Sequence, residues 1–204
     1  MKRMGDLFNL TGAVTLNTMQ SLHGAVQIDQ HLNKPLPSGF TNDDFLNLKH
    51  LDSFYKQFTW NFDLAKAANK YKFDKIIGMF DSRIKNPGQS LKWTFLSGHD
   101  LDIVPLYNDL NLSSSQCIEE LYRKGSTSAL NCEQVPVFAT SLIFELYTEG
   151  SSHTIKIRSN GKYMNLCGKN STECKYEDWK KFVQTNQASD EMAQKICGNF
   201  KQNV

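Results

Sequence analysis

The pattern of hydrophobic and polar positions changes several times along the chain, and each change marks an element. Residues 1–40 read as polar and irregular, with Gly5, Gly12, Gly24 and a Lys34-Pro35-Leu36-Pro37-Ser38-Gly39 turn cluster. From Thr41 the period becomes helical: Phe45, Leu48, Leu51, Phe54, Tyr55 and Phe58 recur at spacings of three and four. Thr41 can cap this helix, and Asp43 and Asp44 fall in its first turn, where carboxylates complement the helix dipole. A second helix is predicted over residues 65–84, with Ile76, Ile77, Met79, Phe80 and Ile84 on its apolar side and Asn86-Pro87-Gly88 as its stop.

The period then drops to two. Leu91-Lys92-Trp93-Thr94-Phe95-Leu96-Ser97 alternates and then turns apolar, as a strand entering the centre of a sheet does. Ser97-Gly98 breaks it, and residues 100–110 read as a helix with Ile103, Val104, Leu106, Tyr107 and Leu110 inward. Two more strands are predicted over 142–147 and 154–158, joined by Glu149-Gly150-Ser151-Ser152, and a short helix over 176–185. There is no internal repeat or low-complexity tract. The order helices, strand, helix, strand, strand, helix implies an α/β fold with a mostly helical segment ahead of the first strand.

Composition narrows the class. The chain has 204 residues, 40% of them hydrophobic, enough to bury a core. Lys+Arg 23 against Asp+Glu 21 leaves a net charge of +2, so no nucleic-acid partner is expected. Val135 to Phe144, the longest mostly apolar stretch, falls far short of the roughly 20 residues a membrane span needs. Met1-Lys2-Arg3-Met4-Gly5-Asp6 has no apolar run behind it, so no signal-peptide pattern is visible. Disordered, collagenous and coiled-coil classes are excluded as well.

Five cysteines, an odd number, bear on the compartment. Zinc sites draw ligands from pairs two to four residues apart. The closest pair here, Cys167 and Cys174, is wider, and no histidine lies near it. Short disulfide loops fit better, Cys117 with Cys132 and Cys167 with Cys174, which leaves Cys197 without a partner. Three glycosylation sequons accompany them, at Asn9-Leu10-Thr11, Asn111-Leu112-Ser113 and Asn170-Ser171-Thr172. Disulfides and sequons together point to the secretory pathway; the bland alternative is a cytosolic protein with buried free thiols.

Candidate chemistry concentrates at Ser97-Gly98-His99-Asp100, at the end of the predicted strand and the start of a helix, where α/β sheets place ligands. A glycine allows close backbone approach, and a helix N-terminus offers unpaired N–H groups to an anion. His99 can donate to a phosphate oxygen and a carboxyl at Asp100 can protonate a leaving oxygen. Equally, these could be a histidine near a helix start and an aspartate that merely caps it.

The surroundings favour the chemical reading. Lys92-Trp93-Thr94-Phe95-Leu96-Ser97-Gly98-His99-Asp100, followed by Ile103 and Leu106, resembles the second signature of the histidine acid phosphatase family. Leu36-Pro37-Ser38-Gly39-Phe40-Thr41, ahead of the helix, is similar to that family's helical lobe. Residues 138–147 are similar to the strand after its His-Asp signature, and Asn165-Leu166-Cys167 through Cys174, then Tyr176-Glu177-Asp178-Trp179, to its late disulfide loop and helix. The resemblance covers about residue 36 to Cys197. It implies a phosphoglycerate mutase-like sheet flanked by helices, with a helical lobe over 1–90 and the C-terminal part of the α/β catalytic domain over 91–204, incomplete because an N-terminal part is missing. It implies phosphomonoester hydrolysis at acid pH in a lysosomal or extracellular setting. His99 would bind phosphate and Asp100 would be the proton donor, with no cofactor.

One departure limits this. The family's nucleophilic histidine sits in an Arg-His-Gly-x-Arg-x-Pro motif, and no Arg-His-Gly occurs here. Leu22-His23-Gly24 lacks both arginines and the proline and reads as a surface turn. The four arginines, Arg3, Arg83, Arg123 and Arg158, are not spaced as a phosphate cradle. His31 falls in a polar loop, His50 on the amphipathic helix as a solvated or partly buried imidazole, and His153 at the hairpin turn; none is expected to touch substrate. The expectation is therefore a chain with an incomplete catalytic set, inactive alone, or a non-catalytic relative that binds or interacts. A metal-dependent His-Asp phosphohydrolase is disfavoured, because its further ligands commonly ride on helices and His50 is the only upstream helical histidine recognised. The orphan Cys197 fits a partner in an N-terminal half outside these residues.

Overall fold

A computed structural model describes residues 1–60, 62–88 and 91–197. Among these residues the chain is mixed α/β, with eight helices and a four-stranded antiparallel sheet. The order is α1 (Lys2–Leu7), α2 (Leu16–His31), α3 (Asn42–Thr59), α4 (Phe62–Lys85), α5 (Asp100–Asp109), α6 (Ser115–Lys124), β1 (Leu142–Glu149), β2 (Ser152–Ser159), β3 (Lys162–Tyr163), β4 (Cys174–Lys175), α7 (Tyr176–Asn186) and α8 (Asp190–Cys197).

The strongest periodic segments form as expected. Thr41 caps α3: its hydroxyl accepts from Asp44 N–H at 3.2 Å, and Asp44 reaches back to the Thr41 amide at 2.9 Å. Asp44 also takes two contacts from Arg3, at 2.7 and 2.8 Å, which tie α1 to the start of α3 and hold the Asp44 carboxyl well below the usual range. In the hairpin, β1 and β2 pair from Leu142↔Ser159 to Glu149↔Ser152. Leu142, Phe144 and Leu146 share one face, with Ile155 and Ile157 of β2 buried on the same side. β3 and β4 each pair antiparallel with two residues of β2.

The main core lies between this sheet, α4, α5 and α7. Trp179 is its largest fully buried side chain, edge-on to Phe73 and Phe80 at 6.5 and 6.3 Å and stacked on Tyr176 at 6.1 Å. A second cluster, around Met4, Met19, Val26 and Leu48, packs α1 and α2 on α3. Both short cysteine loops place their sulfurs at disulfide-bond distance, with Cα atoms 5.8 Å apart for Cys117–Cys132 and 6.3 Å for Cys167–Cys174. The second loop ends on β4 and ties it to the sheet. The Cys197 side chain lies outside the described residues.

Three expectations need correction. Residues 1–40 are not irregular: α1 and α2 occupy most of them. Thr15 caps α2 through its hydroxyl at 3.2 Å from Thr18 N–H, and Met19, His23 and Val26 form its buried face. Leu22-His23-Gly24 is therefore not a surface turn; His23 is only 1% exposed, because the helix turns it onto α3. Residues 91–97 do not form a strand. Trp93 is 78% and Phe95 90% exposed, since no strand among the described residues pairs with the segment and its apolar side has nothing to bury against. It meets α4 through a weak contact, Thr94 Oγ1 to Met79 Sδ at 3.3 Å.

Candidate active site

The extended segment ends at Gly98, and α5 begins at Asp100 with His99 as its N-cap residue. Asp102, three residues on, accepts from the His99 backbone N–H at 2.9 Å and from Lys72 of α4 at 2.8 Å. The hydrogen bond from Lys72, then that from the His99 amide, holds the Asp102 carboxyl below its ordinary range. Gly98 is required by this arrangement: a Cβ there would stand 2.8 Å from Asp102 Oδ2 and 3.1 Å from its Cβ and Cγ. The close approach made at Gly98 is to Asp102.

His99 is exposed, and the side chain of Asp100 is 39% exposed. Both oxygens of Asp100 are engaged. Oδ1 accepts from the Leu101 backbone N–H at 2.8 Å, and Oδ2 from Lys56 Nζ of α3 at 2.6 Å. Lys56 also lies 3.1 and 3.2 Å from the two oxygens of Asp52, one turn earlier on the same helix. Asp52 pairs with His23 Nδ1 at 2.7 Å. Sequence reasoning missed Lys56, Asp52 and the burial of His23. The spacing of Asp52 and Lys56, an acid four residues before a base, was a readable signal for the pair; their meeting with Asp100 was not.

Three of the four arginines are paired with carboxylates other than Asp100 and Asp102. Arg3 is spent on Asp44, Arg123 on Glu119 and Arg158 on Glu145. Of the other histidines, His31 is exposed at the end of α2 and His153 meets Thr148 on the hairpin at 3.0 Å. His50 stacks on Tyr122 of α6 with ring centroids 3.8 Å apart, and burial lowers its pKa. The structure brings neither of these two nor His50 into the contacts around Asp100. No group of three or more His, Cys, Asp or Glu side chains that could hold a metal ion is present among the described residues. The sequon asparagines Asn9, Asn111 and Asn170 are all exposed. No described helix is long and apolar enough to cross a membrane.

The same N-terminal turn of α5 thus carries an exposed imidazole and a partly exposed carboxyl, with the Lys56 ammonium just behind, while the His99, Leu101 and Asp102 N–H groups are bonded to Asp102, Asp100 and the His99 carbonyl. Chemically, the exposed imidazole can donate to an oxyanion at the positive end of the helix, and the neighbouring carboxyl can take part in a proton transfer. Compared with protein-family models and with curated proteins, the chain matches none.

Proposed function

We propose that this is a histidine acid phosphatase-like protein that binds the phosphoryl group of a phosphomonoester at His99. Asp100 is the acid for its leaving oxygen. The observation that carries the reading is the joint placement of His99 and Asp100 on the first turn of α5, both reachable from solvent. An anion there meets the positive end of a ten-residue helix as well as the imidazole. No Arg-His-Gly nucleophile is present, so the chain alone binds a phosphate ester without turning it over. The phosphoglycerate mutase-like arrangement, with a lobe over 1–90 and the α/β unit over 91–204, belongs to the same proposal. So does a lysosomal or extracellular location, which the two cysteine pairs and the exposed sequons support.

The deciding experiment follows the His99 imidazole by NMR during titration with inorganic phosphate, alongside an aryl phosphate assay at acid pH. The expected result is a saturable shift of the His99 imidazole, with the accompanying phosphate-induced shifts of the Asp100 and Leu101 amides lost in His99→Asn and His99→Ala, and no turnover above the solvent rate. A His99 signal indifferent to phosphate overturns the binding site, and robust turnover abolished by Asp100→Asn overturns the inactivity. A second reading, a non-catalytic binding protein, is favoured by the solvent-facing Trp93 and Phe95. It gains ground if His99 ignores phosphate.

A further inference from the structure

Lys56 is placed unlike a surface lysine. Its side chain is 8% exposed, and its ammonium sits between Asp52 of its own helix and Asp100 at the start of α5. Lysine is strongly hydrated in water and seldom this buried unless paired. Asp52 is itself buried and fixed from the far side by His23 of α2, also buried. The four groups form one line across three helices: His23, Asp52, Lys56, Asp100. Only its last member reaches solvent to any extent.

Such a line is a poor way to gain stability, since apolar side chains of similar volume serve a core as well or better. What it supplies is direction. The ammonium cannot follow Asp100 into other rotamers, because Asp52 holds it from behind. With Oδ1 fixed by the Leu101 amide and Oδ2 by Lys56, the plane of the Asp100 carboxyl is set at two points. A single hydrogen bond to Leu101 would leave that plane free to rotate.

We propose that Lys56, anchored by Asp52 and His23, is the positioning residue for Asp100. It fixes the orientation of the carboxyl beside the oxyanion place at His99 and compensates its charge there. The use of that carboxyl as an acid rests on the phosphomonoester reading; the positioning stands on the geometry of α2, α3 and α5.

The test uses the full chain, the variants Lys56→Met and Asp100→Asn, and inorganic phosphate as the probe. Lys56→Met keeps the length of the buried side chain and removes its charge. It is expected to speed hydrogen exchange of the Leu101 amide roughly tenfold, the loss of one charge-assisted contact, with amide protection around Trp179 unchanged. Asp100→Asn is expected to speed exchange of the Lys56 ammonium protons by a similar factor. Phosphate affinity falls in Lys56→Met and holds in Lys70→Met, which removes a lysine of α4 that is also paired with aspartates. An unchanged Leu101 amide in folded Lys56→Met, or an unchanged Lys56 ammonium in Asp100→Asn, overturns the proposal. Should Lys56→Met not fold, the Asp100→Asn measurement decides alone. Phosphate that fails to bind the unsubstituted chain overturns the phosphomonoester reading, and the two exchange rates still judge the positioning.

Discussion

In the hairpin, every residue from Leu142 to Glu149 faces a partner on β2, and Leu142, Phe144 and Leu146 pack on the core around Trp179. At residues 91–97 no strand stands alongside among the described residues, and Trp93 and Phe95 face solvent. Both stretches alternate apolar and polar side chains. The difference is that the hairpin carries its own partner a four-residue turn away, while the other stretch needs one from elsewhere. A strand is a relation between two segments, and alternation describes only one of them. The apolar residues of 91–97 stay mostly exposed among the described residues, whereas those of the hairpin hold the sheet on α4 and α7.

The largest expected effect is on the partnered side. Trp179→Ala removes the aromatic centre under the hairpin and should cost about 3 to 5 kcal/mol in urea unfolding. A loss under 1 kcal/mol would mean that the sheet is held by something other than that core. Next, Asp109 on α5, downstream of the unpaired segment, is buried against the Asn69 amide, and burial pushes its carboxyl up to about 6. An acid whose folded pKa lies above its unfolded value favours folding most at low pH. That contribution fades as pH rises from about 4 through about 6, a loss of roughly 2 to 3 kcal/mol. Asp109→Asn should flatten this dependence; a thermal midpoint that falls equally with pH in both proteins would place its origin elsewhere. Replacing Cys167 and Cys174 by alanine opens the loop behind β4 and should cost about 2 kcal/mol on the loop-entropy model. Matching denaturation curves with and without reductant would show that the loop adds nothing. The smallest effect belongs to the unpartnered side: Trp93→Ser should change stability by less than about 0.5 kcal/mol. A larger loss would show that the segment has found a partner after all, and would break the comparison.

Much of the fold was legible because its signals are local. Thr41 with Asp44, the three-and-four spacing from Phe45 to Phe58, and the two strands around Gly150 each need only their own neighbours. α2 was missed although Leu16, Met19, Leu22 and Val26 carry a helical spacing, because Gly24 and the abundance of polar residues masked it. The strand at 91–97 failed for the opposite reason, a sound local pattern without a long-range partner. At the candidate site, His99 and Asp100 were readable as a helix-start pair, although the strand expected ahead of them does not form. Lys56 was not, since what brings it to Asp100 is the packing of α3 against the first turn of α5, 44 residues away in the chain.

Gly98 and Asp102 form a unit of inheritance. A side chain at position 98 pushes against Asp102 while that carboxyl is held by Lys72 and the His99 amide. The order of substitutions therefore matters. Alanine at 98 presses on a carboxyl that cannot move without giving up Lys72 or the His99 amide, so the cost of a change at 98 depends on what stands at 102.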